Sequence, residues 1–451
     1  MLVIVHGWSD SAESFDNIAN RLVGAGVPGP VTAIQLADYI TLDDNVTYRD
    51  LVEAMDRAWT VANLPRAPRS VDVVCHSTGA LVVRDWMTSV FKDPASNPIL
   101  RLVMLAPANF GSPLATTGQS FIGRVVKGFH SGTPFQTGTH ILKGLELASP
   151  YSWNLALRDR FDATKTWYGP GRVLCTVLVG TDGYTGIRAI ANSPGSDGTV
   201  RVSTANLNPV YISVNFASDP QNPIWTAHAP IGRTAFCRLL GENHGSIAQG
   251  GSAGTLKLIV DALATEDITF DHHCDALQAL SGTNETQQQG STNTQGYQNT
   301  VVRVTDDLGQ PVTDYLIEAY VPKGDSAPTP DDVDEPLTQF VQEHVLTDVH
   351  NYTADASFRA LLFNCTQLKT NVTSAGRKLD VSITAHPQVE PKSAGYSTFG
   401  YDDIGAISLT PAEQQQLFGA DRTVLIDLVI RRDISADLYV FRPSKQVAPV
   451  P

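Results

Sequence analysis

The chain of 451 residues is poor in several features that would mark a function class. It holds no apolar run of about 18 residues, so no membrane-spanning helix is expected. Its cysteines (Cys75, Cys175, Cys237, Cys274 and Cys365) are odd in number and loosely spaced. A disulfide framework is therefore not expected, and at least one thiol must be free or pair with another chain. Basic residues are outnumbered, 32 Lys and Arg against 46 Asp and Glu, for a net charge of −14. Such a surface repels phosphate backbones and argues against nucleic acid as a partner. It also opposes electrostatic docking on anionic membranes, though not apolar insertion. The opening MLVIVHG is already strand-like and leaves no room for a secretory leader. The protein is thus expected in the cytoplasm or exported by another route, unless a leader has been removed.

What is present describes a globular protein: 42% hydrophobic and 17% charged residues. The length exceeds what one core usually organises, so two domains are expected. Strand-like runs at Leu2–Val5, Val31–Leu36, Val71–Val74, Leu100–Leu105, Val173–Val179 and about Ala235–Leu240 alternate with helical patterns such as Leu51, Met55 and Trp59. Continuous apolar strands between helices predict an α/β domain over 1–280, with a mostly parallel sheet covered on both faces. Ligand sites in such sheets lie at the carboxyl ends of the strands. Residues 281–299 are polar and low in complexity, and are expected to be a linker. From 300 to 451, short strand candidates punctuated by Gly and Pro, the last of them DLYVFRP (437–443), predict an accessory antiparallel β-sandwich.

The stretch VDVVCHSTGALVVRDW (71–86) runs from strand through a tight turn into helix, around Ser77. This is the context of a nucleophile elbow, G-x-S-x-G, with Cys75 in place of the first glycine. A cysteine is small and tolerates burial, so the geometry survives the exchange. Ser77 at the turn apex is then the nucleophile. An oxyanion hole needs two fixed N–H donors. The expected donors are the backbone of Thr78, just after the serine, and of Trp8, in the loop VIVHGWSD after the first strand. His6 is expected to be structural, and His76 to shape the pocket wall.

Five ordered motifs, VIVHGW, CHSTG, RLVMLAPANFGSPLA, GSDGTVRVSTA and ENHGSI, together resemble the α/β-hydrolase superfamily, in particular microbial serine lipases and esterases. The resemblance spans about residues 1–260. It implies the chain order serine, acid, histidine, which makes His244 in GENHGSI the base. For the acid it favours Asp197 in SDGTVRVS, whose pattern resembles the acid loop of lipases; Asp182, after the strand VLCTVLVG, is the alternative.

Residues 108–170 separate two strands by more than an ordinary connection and carry apolar positions, among them Phe121, Val125, Phe129, Leu145, Tyr151, Trp153 and Leu157. A lid or acyl pocket would use such an insertion, with Phe121, Val125 and Phe129 lining it, although most of these side chains are expected simply to pack helices on the core. The spacing in FDHHCDA (270–276) matches no zinc pattern. The reading is therefore a serine carboxylic-ester hydrolase, lipase- or phospholipase-like, needing no metal or organic cofactor. Its expected partner is a lipid or other ester, with transient contact of the insertion at a lipid interface. An acyltransferase with the same triad and a non-catalytic binding protein on this fold are the alternatives.

Overall fold

The apolar runs of the first half become one parallel sheet. The computed structural model describes residues 1–5, 12–34, 45–115, 139–186, 189, 192–219, 223–287, 295–324, 333–396 and 407–439. Strands β1 (Leu2–Val5), β2 (Val31–Ile34), β3 (Val71–His76), β4 (Ile99–Leu105) and β5 (Leu174–Gly180) lie in it. The next two, β6 (Val210–Asn215) and β7 (Ile224–His228), belong elsewhere, and β8 (Ala235–Leu239) completes the sheet. Its order is β2-β1-β3-β4-β5-β8, with every pairing parallel. All seven residues of β5 and all four of β1 are buried, as expected where helices cover both faces.

Helices α1 (Ala12–Gly24), α2 (Tyr48–Val61) and α3 (Gly79–Val90) follow the first strands. Trp59 of α2 meets Trp86 of α3 with ring centroids 4.7 Å apart, and both are fully buried. Within the expected insertion, α4 (Thr139–Leu145) and α5 (Pro150–Asp159) pack as structure. Trp153 joins a core with Phe358, Ala360 and Leu425 from the far end of the chain. Tyr151 stacks on Tyr48 at 4.0 Å and donates to Asp85, while Leu145 lies in the main core. The central stretch of the insertion, with Phe121, Val125 and Phe129, lies outside the described residues. Before β9 come α6 (Val202–Ala205), α7 (His244–Ala248), α8 (Ala253–Ala264) and α9 (Phe270–Gln287).

The later strands are β9 (Tyr297–Asp306), β10 (Tyr315–Tyr320), β11 (Leu346–Asn351), β12 (Phe358–Asn364), β13 (Asp380–Ala385), β14 (Ala394–Tyr396), β15 (Ile407–Ser408), β16 (Thr423–Ile430) and β17 (Arg432–Ile434). A six-stranded sheet, β11-β12-β9-β16-β6-β7, packs over the three-stranded β10-β13-β15. Ile212, Phe216, Val302, Ile383 and Leu428 are among the residues filling the space between. The two layers agree with the expected sandwich, but the larger sheet is mixed, because β16 runs parallel to both β9 and β6. Parallel pairing needs long crossovers. One is the chain from β9 to β16; the other is the return of β16 to a strand of the first domain's own segment.

Two expectations are corrected. Residues 281–287 of the expected linker continue α9, and β9 already starts at Tyr297. Two polar side chains there are held against β8: Asn284 donates to the Arg238 carbonyl at 2.8 Å, and Ser281 Oγ accepts from the Arg238 amide at 3.1 Å. The expected strand DLYVFRP begins as a 3-10 turn, Ala436–Leu438, capped by Ser435. No helix among the described residues is long and apolar enough to cross a membrane. All five cysteines are buried thiols.

Candidate active site

The turn between β3 and α3 holds Ser77 with φ of 53°. A side chain in this left-handed region is strained, and such strain persists only where the surroundings fix it. Here the Ser77 amide donates to the Leu105 carbonyl at 3.0 Å, and the Ser77 carbonyl accepts from Ala80 at 3.2 Å. Cys75, two residues earlier, is an ordinary strand residue paired with Val5 and Met104 on either side. Burial pushes its thiol well above its usual range. A neutral thiol is a poor nucleophile, so Cys75 is not poised to attack.

His244 opens α7, whose start is capped by Asn243 accepting from Gly245 and Ser246. Behind it Glu242 accepts from Ser252 N–H, Thr255 Oγ1 and Ser246 Oγ, each at 2.6 Å. These hydrogen bonds hold the Glu242 carboxyl below its ordinary value against the opposing effect of burial, the largest single influence. The histidine loop is thus fixed by a charged group two residues before His244 in the ENHGSI motif. Nearby, a Cβ on Gly180 at the end of β5 would lie 2.2 Å from the Glu242 carbonyl oxygen, so only glycine fits.

Asp197 sits in the tight loop before α6. Its Oδ1 accepts from the amides of Thr199 at 3.0 Å and Val200 at 2.8 Å. Its Oδ2 lies 3.0 Å from His244 Nδ1, and its backbone carbonyl accepts from the His244 amide at 3.0 Å. His244 Nε2 in turn lies 3.1 Å from Ser77 Oγ. Acid, imidazole and hydroxyl therefore form one hydrogen-bonded row. Asp197 is 0% exposed, while Ser77 and His244 keep 9% and 8%. The two groups that would meet a substrate are reachable, and the orienting one is not.

The remaining candidates take other places. Asp182 is away from His244: its Oδ1 accepts from Gly241 N–H at 3.2 Å and Thr181 Oγ1 at 3.0 Å, bracing the turn before Glu242. His76 is buried against His244, with ring centroids 4.6 Å apart and its Nε2 3.2 Å from the His244 carbonyl. The Thr78 amide donates to no group among the described residues. His6 and Trp8 lie outside the described residues. The FDHHCDA residues spread around α9: Arg233 pairs with Asp271 and Asp275, His273 bonds Thr176 at 3.0 Å, and Cys274 is buried.

Behind the elbow, Arg84 of α3 is wholly buried in a two-point pair with Asp159 of α5, at 2.7 and 2.9 Å. Tyr168 donates to the same carboxylate at 2.8 Å, and Arg84 reaches Asn109 in the loop after β4. A charge so deeply buried is tolerated only because every side of it is paired.

A parallel sheet with a strained serine after its third strand, and with acid and histidine following in that order, is the architecture of the α/β-hydrolases. Residues 2–182 match the model of the alpha/beta hydrolase family, and this part of the chain has the α/β-hydrolase fold. Two solved structures resemble the whole chain. Phospholipase PlaB from Legionella pneumophila superposes with a TM-score of 0.80 at 21% identity, covering 100% of this chain and 97% of that one. The same phospholipase in complex with thio-NAD gives 0.77 at 20% identity over the same shares. At such identity the likeness is one of fold, and it runs through the C-terminal sheets as well. No curated protein sequence matches the chain.

Proposed function

We propose that this protein is a serine carboxylic-ester hydrolase acting on lipid esters, phospholipids foremost, through an acyl-serine intermediate. The observation that carries the reading is the unbroken row Asp197–His244–Ser77, with links of 3.0 and 3.1 Å. His244 takes the proton from Ser77 Oγ as the oxygen attacks the ester carbonyl, and then returns it to the leaving alcohol. Water, activated by the same imidazole, releases the acid. Asp197 holds the ring in the tautomer that presents Nε2 to the serine and stabilises the imidazolium that forms. The Thr78 amide, with that of Trp8, receives the charge on the carbonyl oxygen; one such donor typically contributes about 3–4 kcal/mol to lowering the barrier. The choice of phospholipid draws support from the name of the structure that matches both halves of the chain, a phospholipase.

The test is fatty-acid release from a phospholipid, a triglyceride and p-nitrophenyl esters from acetyl to palmitoyl, with Ser77→Ala as control. Serine-dependent release from phospholipid is expected. Turnover confined to short soluble esters would remove the lipid assignment, and no turnover of any ester would remove the hydrolase assignment.

A further inference from the structure

The loop that carries Asp197 is held from outside its own domain. Arg201, four residues beyond the acid, has a side chain only 3% exposed. Its guanidinium bonds Ser193 Oγ at 3.0 and 3.2 Å and pairs with Asp348 of β11 at 2.6 Å. Asp348 follows a bulge, where the register of β11 against β12 shifts between Leu346 and Asp348. Bulges re-aim side chains at strand edges, and β11 is an edge strand. Two residues on, and so on the same face, His350 Nε2 meets Glu146 at 2.8 Å; the Thr353 amide and hydroxyl also donate to that carboxylate, each at 2.7 Å. One strand therefore grips both the acid loop and the segment leading into α5.

Other residues of the C-terminal sheet close on the same loop. A Cβ on Gly195 would lie 2.6 Å from the ring of Tyr297, at the start of β9. Thr423 Oγ1 donates to the Ser203 carbonyl at 3.0 Å, and Asn206 donates to the Asp421 carbonyl at 2.7 Å. The loop is tight enough to transmit a shift at Arg201. The Val202 amide donates to Gly195, and Asp197 to the Val200 carbonyl, at 2.8 and 3.0 Å. Val200, adjacent to Arg201, supplies one of the two amides on Asp197 Oδ1.

We propose that Asp348 is a positioning residue for the Ser77 site: by holding Arg201 it fixes the 193–202 loop, and through it the aim of Asp197 at His244. This rests on the reading of Ser77, His244 and Asp197 as the catalytic set. Without Asp348 the buried guanidinium loses its counter-charge and must move toward water or other acceptors. The loop moves with it, and displacements of about 1 Å in such a constellation cost up to about 100-fold in rate.

The experiment compares the full-length protein with Asp348→Ala, Asp348→Asn and Asp348→Glu, using two readouts. The first is the downfield NMR proton of the His244 Nδ1–H···Asp197 hydrogen bond, assigned by its loss in His244→Gln. The second is ester turnover. In Asp348→Ala the downfield proton is expected to weaken, because the carboxylate that accepts it has turned away. There kcat falls between about 10- and 100-fold, with KM little changed, and Asp348→Glu restores both readouts. Loss of stability alone would leave the downfield proton of the folded protein where it was. If Asp348→Ala does not fold, Asp348→Asn is expected to show the same changes in weaker form. An unchanged downfield proton in a folded Ala or Asn variant would overturn the proposal. Absence of turnover in the wild type would defeat the hydrolase reading separately, since the downfield proton decides the positioning role without turnover.

Discussion

The two walls of the site are built in opposite ways. The serine wall is local: β3, the turn at Ser77 and α3 form one stretch, and the turn itself is held by the Leu105 carbonyl on the neighbouring strand. The acid wall is assembled from afar. Its loop is tied to Asp348, Tyr297 and Thr423, and soon after it the chain becomes β6, a strand of the C-terminal sheet paired in register with β16 (Val210 beside Val424). A local wall keeps its geometry wherever its strand and helix fold. An assembled wall depends on the second set of sheets, which makes those sheets part of the site's support.

Several substitutions break or sharpen this contrast, beginning with the largest effect. Ser77→Ala removes the nucleophile itself and should lower kcat on the order of 10⁶-fold while the circular dichroism spectrum stays native. Next, Asp197→Asn keeps the shape but favours the wrong tautomer, and should cost about 10⁴-fold in kcat. Asp182→Asn, which alters only a turn brace, should leave kcat close to wild type; a reversal of these two in the same assay would exchange the acid assignment. Third, Arg84→Met leaves the buried Asp159 without its counter-charge and should destabilise by about 3–5 kcal/mol, read as a lower midpoint in urea.

A fourth prediction concerns the join between the two halves. The Glu146 carboxyl is penalised most by burial, yet its hydrogen bonds from His350 and Thr353 outweigh this and hold it below its ordinary value. A carboxyl lowered in the folded state adds stability that is present above the unfolded value, about 4.3, and is lost as pH falls through the folded one. Denaturant midpoints of wild type and Glu146→Gln should therefore differ at neutral pH and converge below about pH 4. A constant gap across that range would show that the ionised form contributes nothing. The smallest effect is expected for Cys75→Gly: activity is retained, while an emptied core position in a strand lowers the melting temperature by a few degrees, since glycine there costs roughly 1 kcal/mol or more.

The contrast between the walls also explains what the sequence discloses. Ser77 is legible because strand, small residues and helix occur in order within 71–90, and the steric demands of an elbow act over that distance. His244 is legible from its place after the last strand of the parallel sheet. Asp197 could be preferred over Asp182 only through a family pattern, since both are followed by glycine in turn-like stretches. Arg201 and Asp348 are 147 positions apart, and nothing near either announces the other. The same holds for VYISVN, residues 210–215: its strand character is local, but its membership of the C-terminal sheet is set by β16. Composition misled at 281–287, where the chain continues a helix and the side chains of Ser281 and Asn284 bond to β8 backbone.

The most direct single measurement is peptide mapping by mass spectrometry after treatment with a fluorophosphonate. The Asp197–His244–Ser77 row predicts one adduct per chain, on the peptide containing Ser77, lost in His244→Ala as well as in Ser77→Ala. An unmodified Ser77 peptide in folded wild-type protein, or an adduct that persists on another residue when Ser77 is replaced, would contradict it.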